Sequence, residues 1–413
     1  MKFTVQTLGC KTNQAESYKI EKILLEAGYK KADISEKPDI CIINTCAVTS
    51  KADLQSRQLI KKFLKNNIRV IATGCYTELN QDTLLKRIPN LTMLTNNDKL
   101  NLIDLLLPKL DNVIESYYHP RHRPAVKVQD GCNNSCSYCV IPMARGRSRS
   151  LPLHEIFEEI RYYESLNYRE IVLTGIHLGS YGRDFIQKIT LAQLLKQILT
   201  LTKSVRFRLS SLEINEIDDE LLEVLDERRI CKHLHIPLQS GDDMILKSMN
   251  RAYTIKEYRK VLDNIFNRFD GIAVGTDIIT GFPGEGEVSF INTKQILEEI
   301  PFSYLHIFPY SPRPGTNAFY LSEQVDEVTK KIRATILRKI GESKKLLYIN
   351  QNIGKIKSVI LESKTDSGFI ATSDNYIKIY LPQDDTLKEG MLIDVLINVS
   401  KNFYATGLPL NNL

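Results

Sequence analysis

Three cysteines, Cys132, Cys136 and Cys139, lie in the run Asp130-Gly131-Cys132-Asn133-Asn134-Ser135-Cys136-Ser137-Tyr138-Cys139. Thiolates at C-x3-C-x2-C converge from one short loop and suit an iron–sulfur cluster, which proteins hold through cysteine sulfur. Three ligands leave a four-iron cubane with one iron free of protein. That open iron can bind and activate a substrate. Zinc is the plainer alternative. It needs a fourth ligand close by, and no His or Cys falls between Val140 and Leu153.

Cys10, Cys46 and Cys75 each follow an apolar run. That is the carboxyl end of a predicted strand, where an open α/β sheet places its ligand crevice. Neighbouring parallel strands bring the three together although 36 and 29 residues separate them in sequence. A second three-thiolate site follows. Cys41 lies inside a strand pattern and Cys231 follows Arg228-Arg229, and neither has a partner at a useful spacing. Both read as small buried hydrophobes. Eight cysteines in 413 residues are too sparse for a disulfide scaffold, and their clustering speaks for metal ligation or catalysis.

The elements that must position these groups fall into three segments. Residues 1–115 alternate buried strand patterns (3–8, 40–43, 70–72, 91–94) with helical ones (15–27, 52–66), which predicts a doubly wound parallel sheet. Residues 117–124 carry two prolines and basic charge and read as a linker or hinge. Residues 118–346 hold six strand patterns (125–128, 170–174, 204–210, 233–238, 271–279, 302–308), most of them separated by helical stretches such as 153–166 and 191–201. Repeated βα units predict a partial barrel. Residues 348–413 show short strands (357–361, 369–372, 376–380, 392–399) between Gly, Asp and Pro turns, hence a small all-β barrel.

Apolar runs such as 40–43 are far too short to cross a bilayer. Met1-Lys2-Phe3-Thr4 leads into a strand pattern and lacks the apolar core of a secretory signal. A cytoplasmic protein without membrane contact is expected. The net charge of +6 is too mild to argue for nucleic acid by itself.

With these residues in view, the chain resembles the radical S-adenosylmethionine (SAM) methylthiotransferases over nearly its whole length. Cys132–Cys139 matches the superfamily motif. Thr7-Leu8-Gly9-Cys10-Lys11-Thr12-Asn13-Gln14, Asn44-Thr45-Cys46-Ala47-Val48-Thr49 and Thr73-Gly74-Cys75-Tyr76 resemble the amino-terminal signature. Residues 371–378 resemble the TRAM domain, usually an RNA-binding barrel. The stretches around Cys10 and Cys132 look most like the enzymes that act on N6-threonylcarbamoyladenosine in tRNA. Met143, and Thr77-Glu78, depart from the family pattern.

The resemblance implies two [4Fe-4S] clusters and SAM. The cluster on Cys132, Cys136 and Cys139 would cleave SAM reductively to a 5′-deoxyadenosyl radical, which takes hydrogen from C2 of the adenine. The cluster on Cys10, Cys46 and Cys75 would supply a sulfur methylated by a second SAM. The implied enzyme is a transferase that methylthiolates N6-threonylcarbamoyladenosine beside the anticodon. The same chemistry on isopentenyl-type adenosine of tRNA, or on a ribosomal-protein aspartate, is the alternative. Implied partners are a tRNA anticodon stem-loop and an electron donor such as flavodoxin or ferredoxin, with the enzyme itself a monomer. A rival of another class is a zinc-stabilised RNA-binding protein without catalysis.

Barrel-strand ends should meet SAM. Gly175 ends the second strand, Ser211 and Glu213 the third, Gln239 follows the fourth, and Asp277 ends the fifth. Arg251 is placed to pair with the SAM carboxylate. His233 and His235 share one strand face and read as supporting residues. The tail from Tyr348 carries six Lys against seven acidic residues, so its charge gives RNA binding no support. Basic density lies at 119–149, 51–69 and 329–345, where phosphates could be met. A substrate with an extra carboxylate favours a pocket with an unpaired cation, and Arg145 and Arg147 are candidates.

Overall fold

The strand pattern at the amino terminus forms β1 (Lys2–Thr7), and its polar sequel Lys11–Glu26 becomes the helix α1. The structure, a computed structural model, describes residues 1–102, 105, 119, 121–401 and 403–410. Most of the expected boundary between the first two segments, and much of the linker, therefore lie outside the described residues. After α1 come β2 (Lys30–Lys31), β3 (Ile40–Thr45), the helix α2 (Ser50–Lys65), β4 (Arg69–Gly74), the short helix α3 (Cys75–Leu79) and β5 (Thr92–Met93). The strands pair in parallel in the order β2-β1-β3-β4-β5. All six residues of β3 are buried, as a central parallel strand covered on both faces requires. The order reverses between β1 and β3, which creates the switch-point crevice of doubly wound sheets. α1 starts at Lys11, earlier than its apolar periodicity suggests, because its first turn is polar yet buried through Thr12, Asn13 and Glu16.

The second segment forms β6 (Ala125–Lys127), an antiparallel pair β7 (Gln129–Asp130) and β8 (Arg149–Ser150), then β9 (Glu170–Thr174), β10 (Arg206–Leu209), β11 (His233–His235), β12 (Ala273–Thr280) and β13 (Tyr304–Pro309). β10-β9-β6 and β11-β12-β13 are parallel sheets, joined by the Phe207–Ile230 bridge. β6 and β13 are left as the two edges of a partial barrel. Val126, Ile171 and Leu173 pack outward with Ile156 and Ile160 of the helix Leu153–Ser165. Side chains alternate along a strand, so Ala125 and Val172 face the other way, where they meet Ala15 of α1. A helix of the first domain thus lies on the inner face of the barrel.

The helix Glu327–Asn350 leads to a closed barrel, β14 (Ile356–Thr365), β15 (Gly368–Ser373), β16 (Lys378–Pro382), β17 (Leu392–Lys401) and β18 (Tyr404–Pro409), in the order β14-β15-β16-β18-β17. The sequence pattern misses β18, whose Gly407 and Pro409 interrupt its alternation. It also starts β16 too early. Tyr376 has φ +68° and sits in a turn, and the strand begins at Lys378. No helix among the described residues is long and apolar enough to cross a membrane.

Candidate active site: two thiol trios and a shared arginine

β1, β3 and β4 are neighbours, so their carboxyl ends deliver Cys10, Cys46 and Cys75 to one place. Gly9 packs so closely on Cys46 that a Cβ there would lie 2.9 Å from its Sγ. Asn13 ties the loops together. Its Nδ2 donates to Leu8 O (2.9 Å) and Thr45 O (3.0 Å), and its Oδ1 faces Cys10 Sγ at 3.6 Å. Burial raises the Cys46 thiol to about 11 and pushes Cys75 up as well, and neighbouring sulfurs add to both shifts. The Cys46 and Cys75 thiols thus resist ionisation without a metal, whereas a coordinating cation deprotonates thiols outright.

The second trio sits on the loop after β6 and is clamped by the β7–β8 pair. Gly131 has φ +69°, and a Cβ there would fall 2.1 Å from Arg147 O, so no other residue fits before Cys132. Backbone amides of Asn134 and Ile141 donate to Cys132 Sγ (3.4 Å) and Cys139 Sγ (3.5 Å). Arg251 Nη1 donates to Cys136 Sγ at 3.3 Å. His177 Nδ1 lies 3.6 Å from Cys132 Sγ, and its Nε2 is 2.7 Å from Glu216. Burial opposes the charged imidazole, yet Cys132 and Glu216 raise it to about 10. Burial pushes Cys139 up to about 12. A cavity of about 640 Å³ opens over the three thiols and is walled by Met143, Arg147 and Thr316 among others.

The sulfur spacing tests what these trios fit. A single tetrahedral ion draws its ligands to about 2.0–2.3 Å and hence to roughly 4 Å from one another. Among the described residues, the only three His, Cys, Asp or Glu ligand atoms that gather within 4.8 Å of one another are those of His235, Asp277 and His306. Neither thiol trio is that tight, with or without His177. Thiols spaced beyond one ion's ligand set fit a multi-iron cluster better than a single zinc ion.

Arg145 joins the two sites. It ends the helix Ile141–Arg145 that follows Cys139, and it is buried. Nε donates to Cys75 Sγ (3.2 Å), Nη2 to Asn13 Oδ1 (2.6 Å), and Nη1 to Glu16 Oε1 (2.8 Å) and Asp130 Oδ1 (2.9 Å). Lys99 and Lys127 also reach Glu16, at 2.5 and 3.0 Å. Burial alone would raise the Glu16 carboxyl, but Arg145, Lys99 and Lys127 hold it well below the usual range. Arg145 is therefore fully engaged and is not the unpaired cation that its sequence position suggests. Arg147 is exposed at the cavity wall.

The other residues expected at strand ends separate into two groups. Glu213 and Arg251 form an ion pair and line a cavity of about 220 Å³ with Cys136 and Asn134. Gly175 packs on Gln129, where a Cβ would meet Oε1 at 2.9 Å. Ser211 is exposed. Gln239 adopts φ +70° and its amide donates to Asp277 O at 2.8 Å. Asp277 stands apart from the cysteine-lined cavities, held by His235 Nε2 (2.9 Å) and His306 Nδ1 (3.1 Å). His177 escapes a sequence search confined to the cysteine loop. Its signal is its place just past β9.

A third group lies deeper on the inner face. Glu170 is shared by Arg206 Nη2 (2.6 Å), Arg208 Nε (2.8 Å) and Arg123 Nη1 (3.6 Å). Tyr376 of the C-terminal barrel stacks on His233 with centroids 4.1 Å apart and lies 5.5 Å from the Tyr304 ring. Burial, then Arg123 and Arg208, push the Lys11 ammonium down to about 8.

Comparison with known proteins accords with this geometry. The Radical SAM superfamily profile matches residues 126–297, and that of Uncharacterized protein family UPF0004 matches residues 2–96. The threonylcarbamoyladenosine tRNA methylthiotransferase MtaB of Bacillus subtilis (strain 168) is 35% identical, covering 90% of this chain and 88% of its own. That of Aquifex aeolicus (strain VF5) is 35% identical over 96% and 100%. The tRNA-2-methylthio-N(6)-dimethylallyladenosine synthase of Fusobacterium nucleatum is 31% identical over 98% and 99%. In fold, the radical SAM methyltransferase TsrM from Kitasatospora setae aligns with a TM-score of 0.57 at 12% identity, covering 77% of each chain. The cofactors of such an enzyme are SAM and [4Fe-4S] clusters, one in the core and one in the amino-terminal domain. From the paired thiol loops, the three-part fold and near-full-length relatives, the chain belongs to the radical SAM methylthiotransferase family and is a transferase.

Proposed function

We propose that the chain adds a methylthio group to C2 of N6-threonylcarbamoyladenosine next to the anticodon of tRNA. The observation that carries the chemistry is Arg145, whose one guanidinium reaches a thiol of the first trio and the loop of the second. Placing two reactive centres in one rigid site replaces a bimolecular encounter. The substrate rests on the relatives. Four MtaB proteins are 34–36% identical with at least 88% of each covered, against 31% for the dimethylallyladenosine synthase.

When bound, a cluster at Cys132, Cys136 and Cys139 supplies reductive cleavage of SAM, and one at Cys10, Cys46 and Cys75 supplies the sulfur. The protein side chains hold and orient. Arg251 and Glu213 offer opposite charges beside Cys136 for the carboxylate and amino group of SAM. Gly175, Ser211 and Gln239 are further contacts at or near strand ends, whereas Asp277 lies within β12 and is engaged by His235 and His306. Exposed Lys61, Lys62 and Lys65 of α2, and Lys331, Arg338 and Lys339 of the helix Glu327–Asn350, supply phosphate contacts. A flavodoxin or ferredoxin supplies electrons to a cytoplasmic monomer, divided into units at 1–115, 118–346 and 348–413.

Mass spectrometry of tRNA nucleosides from a deletion strain tests the reading. The 2-methylthio form of N6-threonylcarbamoyladenosine should vanish while the unthiolated nucleoside remains. Normal levels, with loss of the methylthio-isopentenyl form instead, would transfer the assignment to the isopentenyl-type substrate.

A further inference from the structure

Lys11 follows Cys10 directly, so it borders the place where sulfur must meet adenine C2. Its surroundings are cationic. The nearby carboxylate, Glu170, is already shared by three arginines. Arg123 has a second partner in Glu362 at 2.8 Å. Among the described residues, the Lys11 ammonium has no hydrogen-bond or ion-pair partner. Its Nζ lies 5.9 Å from the centroid of Tyr376, and the Arg208 guanidinium lies 5.3 Å from the same ring. Tyr376 also lines a neighbouring cavity of about 440 Å³, whose other charged walls are Arg123, Lys345 and Lys378 against the single carboxylate Glu362. The region combines aromatic faces with uncompensated positive charge.

Resting on the functional reading above, we infer that the N6 substituent of the substrate lies on the inner face beside Tyr376 and that Lys11 binds its carboxylate. A lone cation beside guanidinium groups is costly until an anion arrives. The threonylcarbamoyl group brings that anion. A neutral isopentenyl chain would leave the charge uncompensated, so the same lysine that favours one nucleoside rejects the other. Tyr376 walls the side chain from the C-terminal barrel, which gives that domain a part in reading the base.

The test measures binding of reconstituted holoenzyme to two synthetic anticodon stem-loops. One carries N6-threonylcarbamoyladenosine, and the other carries the same nucleoside with its carboxylate capped as the methylamide. The wild type should prefer the acid by about tenfold to a hundredfold, the range of one hydrogen bond to a charged group. Lys11→Gln should erase that preference by weakening the acid alone, and Lys11→Arg should restore part of it. Iron content and melting temperature report whether each variant is intact. A second measurement needs no variant. The acid RNA, activated as its N-hydroxysulfosuccinimide ester, should acylate Lys11 of the wild type, mapped by peptide mass spectrometry. Acylation at Lys345 or Lys378 instead, a preference that survives Lys11→Gln, or equal binding of both RNAs by the wild type would overturn the inference. If the wild type methylthiolates the acid RNA while any of these occurs, only the inference falls. If it methylthiolates neither RNA, the functional reading falls with it.

Discussion

Arg145 Nε lies 3.2 Å from Cys75 Sγ, although its own helix begins two residues after Cys139. An arginine anchored behind one thiol loop thus touches a sulfur of the other. Its remaining donors are consumed by Glu16, Asp130 and Asn13.

Arg145→Lys keeps the charge and loses the planar fork. It should cost about 1–3 kcal/mol, the worth of one or two charged hydrogen bonds. Arg145→Met leaves Glu16 to Lys99 and Lys127 and Asp130 to Lys127 alone, and should cost more than the lysine variant, up to about 3–5 kcal/mol, the range for removing one partner of a buried pair. Urea unfolding gives the comparison. Identical midpoints for all three proteins would mean that the network contributes nothing.

Anaerobic reconstitution should load about eight irons per chain, from two four-iron clusters on three thiolates each. Replacing Cys132, Cys136 and Cys139 by Ala should halve the iron and abolish SAM cleavage. Replacing Cys10, Cys46 and Cys75 should also halve the iron and leave SAM cleavage measurable. Full iron in the second variant would remove the amino-terminal site from the scheme.

Gly131→Ala places a methyl 2.1 Å from Arg147 O at φ +69°. The loop must shift, and the thiol that follows shifts with it. The expected outcome is loss of about half the iron with the far-ultraviolet circular dichroism of the wild type. Retention of both clusters would show that this loop tolerates movement.

Glu170 gives a pH prediction. Burial would raise its carboxyl, yet Arg208, Arg206 and Arg123 overcome this and hold it far below its ordinary 4.5. A group whose folded pKa is depressed stabilises fully above its unfolded value, and that stability is lost as pH falls towards the folded one. Urea midpoints should therefore decline below about pH 4.5, and Glu16 and Asp130, also depressed, act in the same direction. Glu170→Gln should be less stable at neutral pH and show a shallower acid decline. Parallel profiles for wild type and variant would refute the assignment.

The cysteines were legible because strand ends and loop spacing are local signals. The parallel order of β1, β3 and β4 then needed only to hold. Arg145 read as a free cation because its partners Glu16 and Asn13 are more than a hundred residues away in sequence. No local pattern reveals a helix of one domain lying on the inner face of another, and the placement of Lys11 follows from that docking. Tyr376 read as a strand residue because aromatic residues favour strands, but the turn that presents it is set by Asn375. Its side chain bonds Asn352 and its backbone carbonyl accepts from Tyr348 Oη.

The carbonyls that accept from Arg206 and Arg208 belong to Ser358, Thr372, Ser373 and Asp374. On the ribosome those acceptors emerge more than a hundred residues after the strand that needs them. Until then Glu170 occupies only part of these two guanidinium groups, and the donors that later meet the C-terminal carbonyls have water in their place. Domains usually settle in the order of synthesis, but here the middle one is finished by the last. A nascent chain halted before residue 358 should therefore expose the floor of the core barrel, which reaches its final packing only when the last domain has folded onto it.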